Sequence, residues 1–391
     1  MNTINGTVAP NFEPVRDEFA AIAENPSYAA QVVAYRHGER VVDLWTGPDL
    51  TGDSLLGAYS ASKGAAHLVV ALLVQRGVLD LDQRVSHYWP EFAVHGKQDL
   101  LLRDLLAHRA GLVGADEGFA LEELADDQTV AQRLGAQRPY WRPGAAFGYH
   151  ALVIAALTGE VVRRATGSSI QDLFTELVRE PSAVDFYLGL PADQEPRFLP
   201  TLRTVEPPTP PIAPTAPNSL SGIAFNRNNP TGPQVWELPN LPIIRKKGPA
   251  SVGGIASARG LARMYAAAIS PLDGAAPLLN PDTVRAFGQI QSIGYDLVNL
   301  AQKAFTPGFH ATAEYYPSLG QGAFGHSGAG GQQAFADPRN GIAFGYNRRL
   351  FPVPVGPGED VERLIRAIFN CARMRPERSA TSSAASHSAR D

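Results

Sequence analysis

Lysine is scarce in this chain: five residues, Lys63, Lys97, Lys246, Lys247 and Lys303, against 29 arginines in 391 positions. With 34 basic side chains offset by 38 acidic ones, and no basic cluster, the chain lacks the concentrated positive surface that a nucleic-acid binder needs to displace counterions. Long apolar runs are missing as well. The longest, Leu68 to Val74, falls well short of the roughly 18 residues of a membrane span. One cysteine, Cys371, excludes an internal disulfide and a cysteine metal cluster. The nine histidines include no His-x-x-x-His pair, so neither a metal nor a cofactor is expected. A lone thiol fits a reducing compartment. The first 19 residues show no basic stretch followed by an apolar one, so the expected location is cytoplasmic.

What the chain does have is apolar mass, 44% hydrophobic against 18% charged, enough to bury a large core or two lobes. Ala29 to Thr46 holds two β-branched runs joined at His37, Gly38 and Glu39, which predicts an antiparallel hairpin. Tyr59 to Gln75 is apolar almost all round, the pattern of a helix buried on every side. Amphipathic spacing predicts surface helices over Leu100 to Leu106 and Glu122 to Leu134, and a helix over Leu152 to Thr166 stopped by Gly167. Six prolines between Glu206 and Pro217 forbid regular structure there. Further on, a helix is expected over Ala258 to Ala268, strands over Gln332 to Ala336 and Ile342 to Tyr346, and a last helix over Asp360 to Arg373. A hairpin at one end and strands at the other imply a sheet shared by both termini. Residues 1–75 and 245–373 are therefore expected to form an α/β domain, residues 76–244 an inserted, mainly helical lobe, and residues 374–391 a disordered tail.

The sharpest chemical signal is Ser60-Ala61-Ser62-Lys63 at the head of the dry helix. Residues three apart share a helical face, so the Lys63 amine reaches the Ser60 hydroxyl. A lysine in so apolar a helix loses hydration, which lowers its pKa and lets it act as a base near neutral pH. Ser60 in the first turn also keeps its own backbone N–H free for a developing oxyanion. Composition alone would produce about 0.3 Ser-x-x-Lys matches, so the context carries the reading.

That motif in YSASKG is followed by GVLDLDQRV, by LLAHRAGL at Leu105 to Leu112, and by WRPGAAFGYHALVIAALTGEVVRRATG at Trp141 to Gly167. In this order the segments resemble the serine β-lactamase and penicillin-binding-protein superfamily, and within it the class C β-lactamase-like esterases called family VIII carboxylesterases. The resemblance implies a β-lactamase-like fold of the α+β type: an antiparallel sheet flanked by helices, an inserted helical lobe, and the active site between them. It implies that Tyr149, in Gly148-Tyr149-His150-Ala151, shares the nucleophile's proton with Lys63, its own pKa drawn down by the ammonium. It also implies that His326-Ser327-Gly328 lines the pocket, with the Ala329 N–H as second oxyanion donor beside that of Ser60. His150, Trp141 and the Tyr315-Tyr316 segment are further pocket candidates, as are the prolines and aromatics between Phe186 and Trp236.

Two positions depart from class C β-lactamases, Ala151 where they carry Asn and His326 where they carry Lys. Both missing groups handle the amide and carboxylate of a β-lactam, and an ester needs neither. The expectation is a carboxylesterase working on a small-molecule ester through a Ser60 acyl-enzyme, with β-lactams at most a weak side substrate. The alternatives are an amide hydrolase of the same mechanism and a catalytically idle binding protein. Gly325-His326-Ser327-Gly328-Ala329 falls one residue short of an α/β-hydrolase nucleophile elbow, and a strand rather than a helix is expected after it. Gly320-x-Gly322-x-x-Gly325 matches a dinucleotide fingerprint but lacks the following helix.

Overall fold

The structure, a computed structural model, describes residues 2–204 and 215–373. Most of the proline-rich stretch and the whole serine- and alanine-rich tail lie outside these residues. The elements that build the frame are, in chain order, β1 (Asn5–Val8), α1 (Glu13–Ile22), β2 (Ala30–Arg36), β3 (Glu39–Thr46), α2 (Ser62–Gln75), α3 (Ile154–Thr166), α4 (Ala258–Ile269), β4 (Ser292–Asp296), β5 (Ala301–Phe305), β6 (His310–Ala311), β7 (Phe324–Ser327), β8 (Gln333–Asp337), β9 (Ile342–Arg348) and α5 (Glu359–Arg373). Every neighbouring pair in the nine-stranded sheet is antiparallel, in the order β1-β3-β2-β9-β8-β7-β6-β5-β4. The sheet thus draws all its strands from residues 5–46 and 292–348, and is the β-lactamase-like arrangement of antiparallel sheet and helices that the sequence implies.

The centre of the sheet is buried on both sides, so β2 is apolar at nearly every position rather than alternating with polar residues. Val32 and Ala34 join the core formed with α1 and α5, while Val33 and Tyr35, pointing the other way, join the core formed with α2 and α4. The β2–β3 connection is two residues, His37 and Gly38, one shorter than the three expected, because Glu39 already pairs with Arg36. His37 (φ 50°) and Gly38 (φ 85°) both take positive φ, as a turn matching strand twist requires. Helix α4 lies directly on β9. A Cβ added at Gly345 would stand 2.5 Å from both Ala258 O and Ala262 N, so the absent side chain sets the helix–sheet distance.

Helix α2 runs through the molecule with every residue from Ser62 to Leu73 buried, in keeping with its all-round apolar sequence. Helix α3 ends at Gly167, in the left-handed conformation. The helix expected over Glu122 to Leu134 is two. Leu121–Leu124 ends, and the Asp126 carboxylate accepts the Thr129 N–H at 3.0 Å to cap a new helix, Asp127–Ala136. Strand β1, helix α1 and the β4–β5 hairpin are additions to the sequence reading. The hairpin strands, SIGYD and AQKAF, are half exposed and carry too little apolar alternation to stand out. No helix among the described residues is long and apolar enough to cross a membrane.

Gly345→Ala tests the helix–sheet contact: lifting α4 off β9 is expected to lower the unfolding free energy by about 1–3 kcal/mol. A urea midpoint equal to that of the native chain would overturn this account of the packing.

Candidate active site

Ser60 sits in a short 3-10 turn, Tyr59–Ala61, that leads into α2. Tyr59 adopts φ 48°, a conformation that costs a non-glycine residue on the order of 1 kcal/mol and has to be held by its surroundings. Several bonds hold it. The Ala58 N–H donates to Gly254 O (2.8 Å), the Tyr59 hydroxyl to Trp236 O (2.8 Å) and the Ser62 hydroxyl to Tyr59 O (2.5 Å), while Ser62 Oγ accepts the Gly254 N–H (2.9 Å). The turn leaves Ser60 half-buried at the wall of a cavity of about 520 Å³.

Lys63 is fully buried. Its Nζ lies 2.6 Å from Ala151 O, 2.7 Å from Ser251 O and 3.1 Å from Ser60 Oγ. Loss of hydration holds the amine well below its ordinary pKa, and no carboxylate acts to restore it. A neutral amine has two N–H bonds and one lone pair. With the two carbonyls taking the N–H groups, the lone pair is left facing Ser60 Oγ. When the amine takes up a proton, the same three neighbours accept its three N–H bonds, so gaining a proton requires no rearrangement.

Tyr149 arrives from the loop before α3 and is stacked on Phe305, rings 6.0 Å apart and 7° from parallel, with Lys63 Nζ 5.0 Å from its ring centre. Its backbone is anchored by Asp296, whose Oδ1 accepts the N–H groups of Tyr149 (3.2 Å), Val298 (2.8 Å) and Asn299 (2.7 Å). The structure corrects the expected lowering of its pKa. Burial pushes the phenol up, the neighbouring Ser60 hydroxyl pulling only partly the other way. The same burial disfavours the Lys63 ammonium that would have lowered it.

Strand β7 ends at Ser327, and Gly328 to Gln332 turn the chain into β8. The segment is strand–turn–strand, which excludes a nucleophile elbow. A Cβ at Gly328 would stand 2.7 Å from Ala58 O, so only glycine lets this turn rest on the backbone beside Ser60. Ser327, Gly328 and Ala329 line the same cavity as Ser60 and Tyr149, and the Ala329 N–H finds no acceptor among the described residues.

The remaining candidates divide. His326 lies behind the cavity wall, 1% exposed, its Nδ1 bonded to Ser327 O (2.8 Å) and its Nε2 without a partner among the described residues, its ring 5.9 Å from that of Tyr149. His150 is a correction. Its Nδ1 meets Gly148 O (2.7 Å) and its Nε2 accepts the Leu112 N–H (3.1 Å), so both ring nitrogens serve the backbone and it does not line the cavity. Trp141 is another, because its indole donates to Ala146 O (3.1 Å) and it borders a separate surface depression with Arg138 and Arg142. Tyr315, Tyr316 and Phe225 do line the cavity. So do Asn299, Lys303 and His310, which sequence reasoning missed because the strands that carry the last two went unrecognised.

A family model described as Beta-lactamase matches residues 18–360. Esterase/beta-lactamase LipL of Mycobacterium tuberculosis (strain ATCC 25618 / H37Rv) is 30% identical over 366 residues, spanning 89% of this chain and 84% of that protein. The solved structure of EstA from Arthrobacter nitroguajacolicus Rue61a superposes with a TM-score of 0.88 at 39% identity, covering 94% of this chain and 98% of that one. A crystal structure of a family VIII carboxylesterase superposes with a TM-score of 0.84 at 32% identity, covering 94% and 100%.

Burial holds His67 and His310 down to about 3 and His150 down to about 4, and His108 and His326 well below their ordinary value. Folded, these rings stay neutral. Unfolded, they bind protons as the pH falls below about 6.5, so the unfolded chain gains protons that the native one refuses. Their contribution to stability is complete above pH 6.5 and declines toward pH 4, by about 1.4 kcal/mol per pH unit for each ring that stays neutral. Urea unfolding at pH 7, 6 and 5 is expected to give falling midpoints. A midpoint that is flat or rises on acidification would contradict this.

Proposed function

Because the chain belongs to the Beta-lactamase family, we propose that it is a serine hydrolase that cleaves carboxylic esters through an acyl-enzyme on Ser60. The observation that carries the reading is the Lys63 amine, buried, held by two carbonyls and aimed at Ser60 Oγ. A buried cation without a carboxylate destabilises a fold, and a buried neutral amine beside a hydroxyl is a base in place. Relatives named as an esterase/beta-lactamase and a family VIII carboxylesterase support the ester as substrate.

In this mechanism Ser60 Oγ bonds to the ester carbonyl carbon as its proton passes to Lys63 Nζ. The carbonyl oxygen becomes an oxyanion between the N–H groups of Ser60 and Ala329. Tyr149, kept as a phenol by burial, gives its proton to the departing alkoxide and recovers one from Lys63, and the alcohol leaves. Water then attacks the acyl carbon by the same route in reverse, releasing the acid and restoring the Ser60 hydroxyl. No step calls for a cofactor. Ala151, which has no side-chain amide, and His326 in place of a lysine, its ring held well below its ordinary pKa by burial, favour an ester over a β-lactam.

Hydrolysis of p-nitrophenyl butyrate and of a chromogenic cephalosporin tests the reading. Ser60→Ala is expected to abolish ester turnover, and Lys63→Arg, whose guanidinium keeps its proton, to lower kcat by about 1,000-fold or more. Ester turnover absent in the native chain, or undiminished in Ser60→Ala, would sink it. Cephalosporin turnover above ester turnover would transfer the assignment to amide hydrolysis.

A further inference from the structure

One of the five lysines lines the cavity that holds Ser60. Lys303, half-buried, projects from β5 with its Nζ 5.2 Å from the centre of the Tyr315 ring, and both residues line the cavity wall. Tyr315 is itself fixed, its hydroxyl accepting the Ala304 N–H (2.9 Å) and donating to Ala304 O (3.3 Å). Alternation along a strand puts Lys303 and Phe305 on the same face, about 7 Å apart along the strand. Phe305 is the ring on which Tyr149 stacks. Lys303 therefore neighbours, along that face, the ring that backs Tyr149, and it shares the cavity with Ser60 and Tyr149. Tyr149 protonates the leaving oxygen, so this is the wall toward which the alcohol part of an ester extends.

Lys303 is poorly neutralised there. No carboxylate of the described residues lies at ion-pair distance. Asp296, which attracts Lys303 from farther off, is fully buried, faces the backbone of Tyr149, Val298 and Asn299 through Oδ1, and does not line the cavity. The acidic residues that do line it are Glu359 and Glu362, both at the head of α5, and Glu362 is paired with Arg366 at 2.8 Å. An anion is attracted to the β5 wall and repelled from the α5 wall. The neutral side chains of Asn299, Thr312 and His310, also in the lining, offer hydrogen bonds and no competing charge.

We propose that Lys303 is the recognition point for a carboxylate carried on the alcohol part of the ester substrate. The proposal rests on the reading of Ser60 and Tyr149 given above and extends it to a substrate class, esters of hydroxy acids.

A pair of substrates differing only in charge tests it: 4-butanoyloxybenzoate and its neutral counterpart 4-butanoyloxybenzamide. The native chain is expected to favour the benzoate about five- to tenfold in kcat/KM, the scale of one partly exposed ion pair, and added salt to shrink that preference. In Lys303→Met the ratio is expected to fall to about one through loss on the benzoate side. The exposed Lys246→Met, which makes the same change in net charge, is expected to keep the native ratio. A native ratio near one, or a preference that survives Lys303→Met, overturns the proposal. A charge preference for mono-p-nitrophenyl glutarate over p-nitrophenyl butyrate, with none for the benzoate, overturns the assignment to the alcohol side. If no ester is turned over at all, the ester reading fails separately. Calorimetry with 4-hydroxybenzoate then decides the subsite: binding to the native chain that is lost in Lys303→Met supports it, and no binding to the native chain overturns it.

Discussion

The arrangement at the centre of this molecule depends on one amine kept out of water. Lys63 occupies a helix that is buried on every side, where a charge has no solvent to stabilise it and no carboxylate to pair with. Two backbone carbonyls, from Ala151 and Ser251, take its hydrogens. They come from segments distant in sequence, the loop leading into α3 and the stretch before α4, so the amine gains its partners only when helix α2 has been surrounded. Ser251 is tied in further, its hydroxyl accepting the Ala155 N–H at 2.9 Å.

The same requirement orders the surroundings. The turn at Ser327 to Gln332 rests on the backbone next to Ser60, which brings Ala329 to the cavity wall, and Gly328 permits that approach. Tyr149 must face the lysine from a loop, and a loop by itself is mobile. Asp296 at the β4 end and the Leu297 N–H donating to Phe147 O (3.2 Å) fasten that loop to the sheet. Five neutral imidazoles lie in this region, His310 in the cavity lining itself. Their neutrality avoids placing more positive charge around Lys63, each being held down chiefly by its own burial.

Much of this could be read from the sequence, and the exceptions share a physical cause. Ser60 and Lys63 were legible because helical spacing turns a short sequence motif into a contact, and because an all-apolar helix is itself a strong pattern. Tyr149 was legible only through its resemblance to a known motif. The direction of its pKa shift differs from the expectation because the sequence shows a lysine nearby without showing how deeply phenol and amine are buried. His150 is a pocket candidate by adjacency to Tyr149 and Trp141 as an aromatic side chain, yet neither adjacency nor residue type fixes a side chain's direction, and these two serve the backbone. Lys303, His310 and Asp296 went unseen because β4 to β6 are short or half exposed and give no periodic signal.

The seam between β2 and β9 has a further consequence for how the chain comes to be folded. Tyr28 and Tyr346, whose hydroxyls meet at 2.8 Å, are 318 positions apart, and β2 has no second neighbour until β9 exists. During synthesis the β2–β3 hairpin therefore emerges with an open edge and two apolar faces, and stays that way while some 300 residues are added. Such a hairpin is a template for pairing with other chains. Closing the sheet is a late event of high contact order, so the interval between emergence of the first strands and arrival of the last is when this protein is most exposed to aggregation.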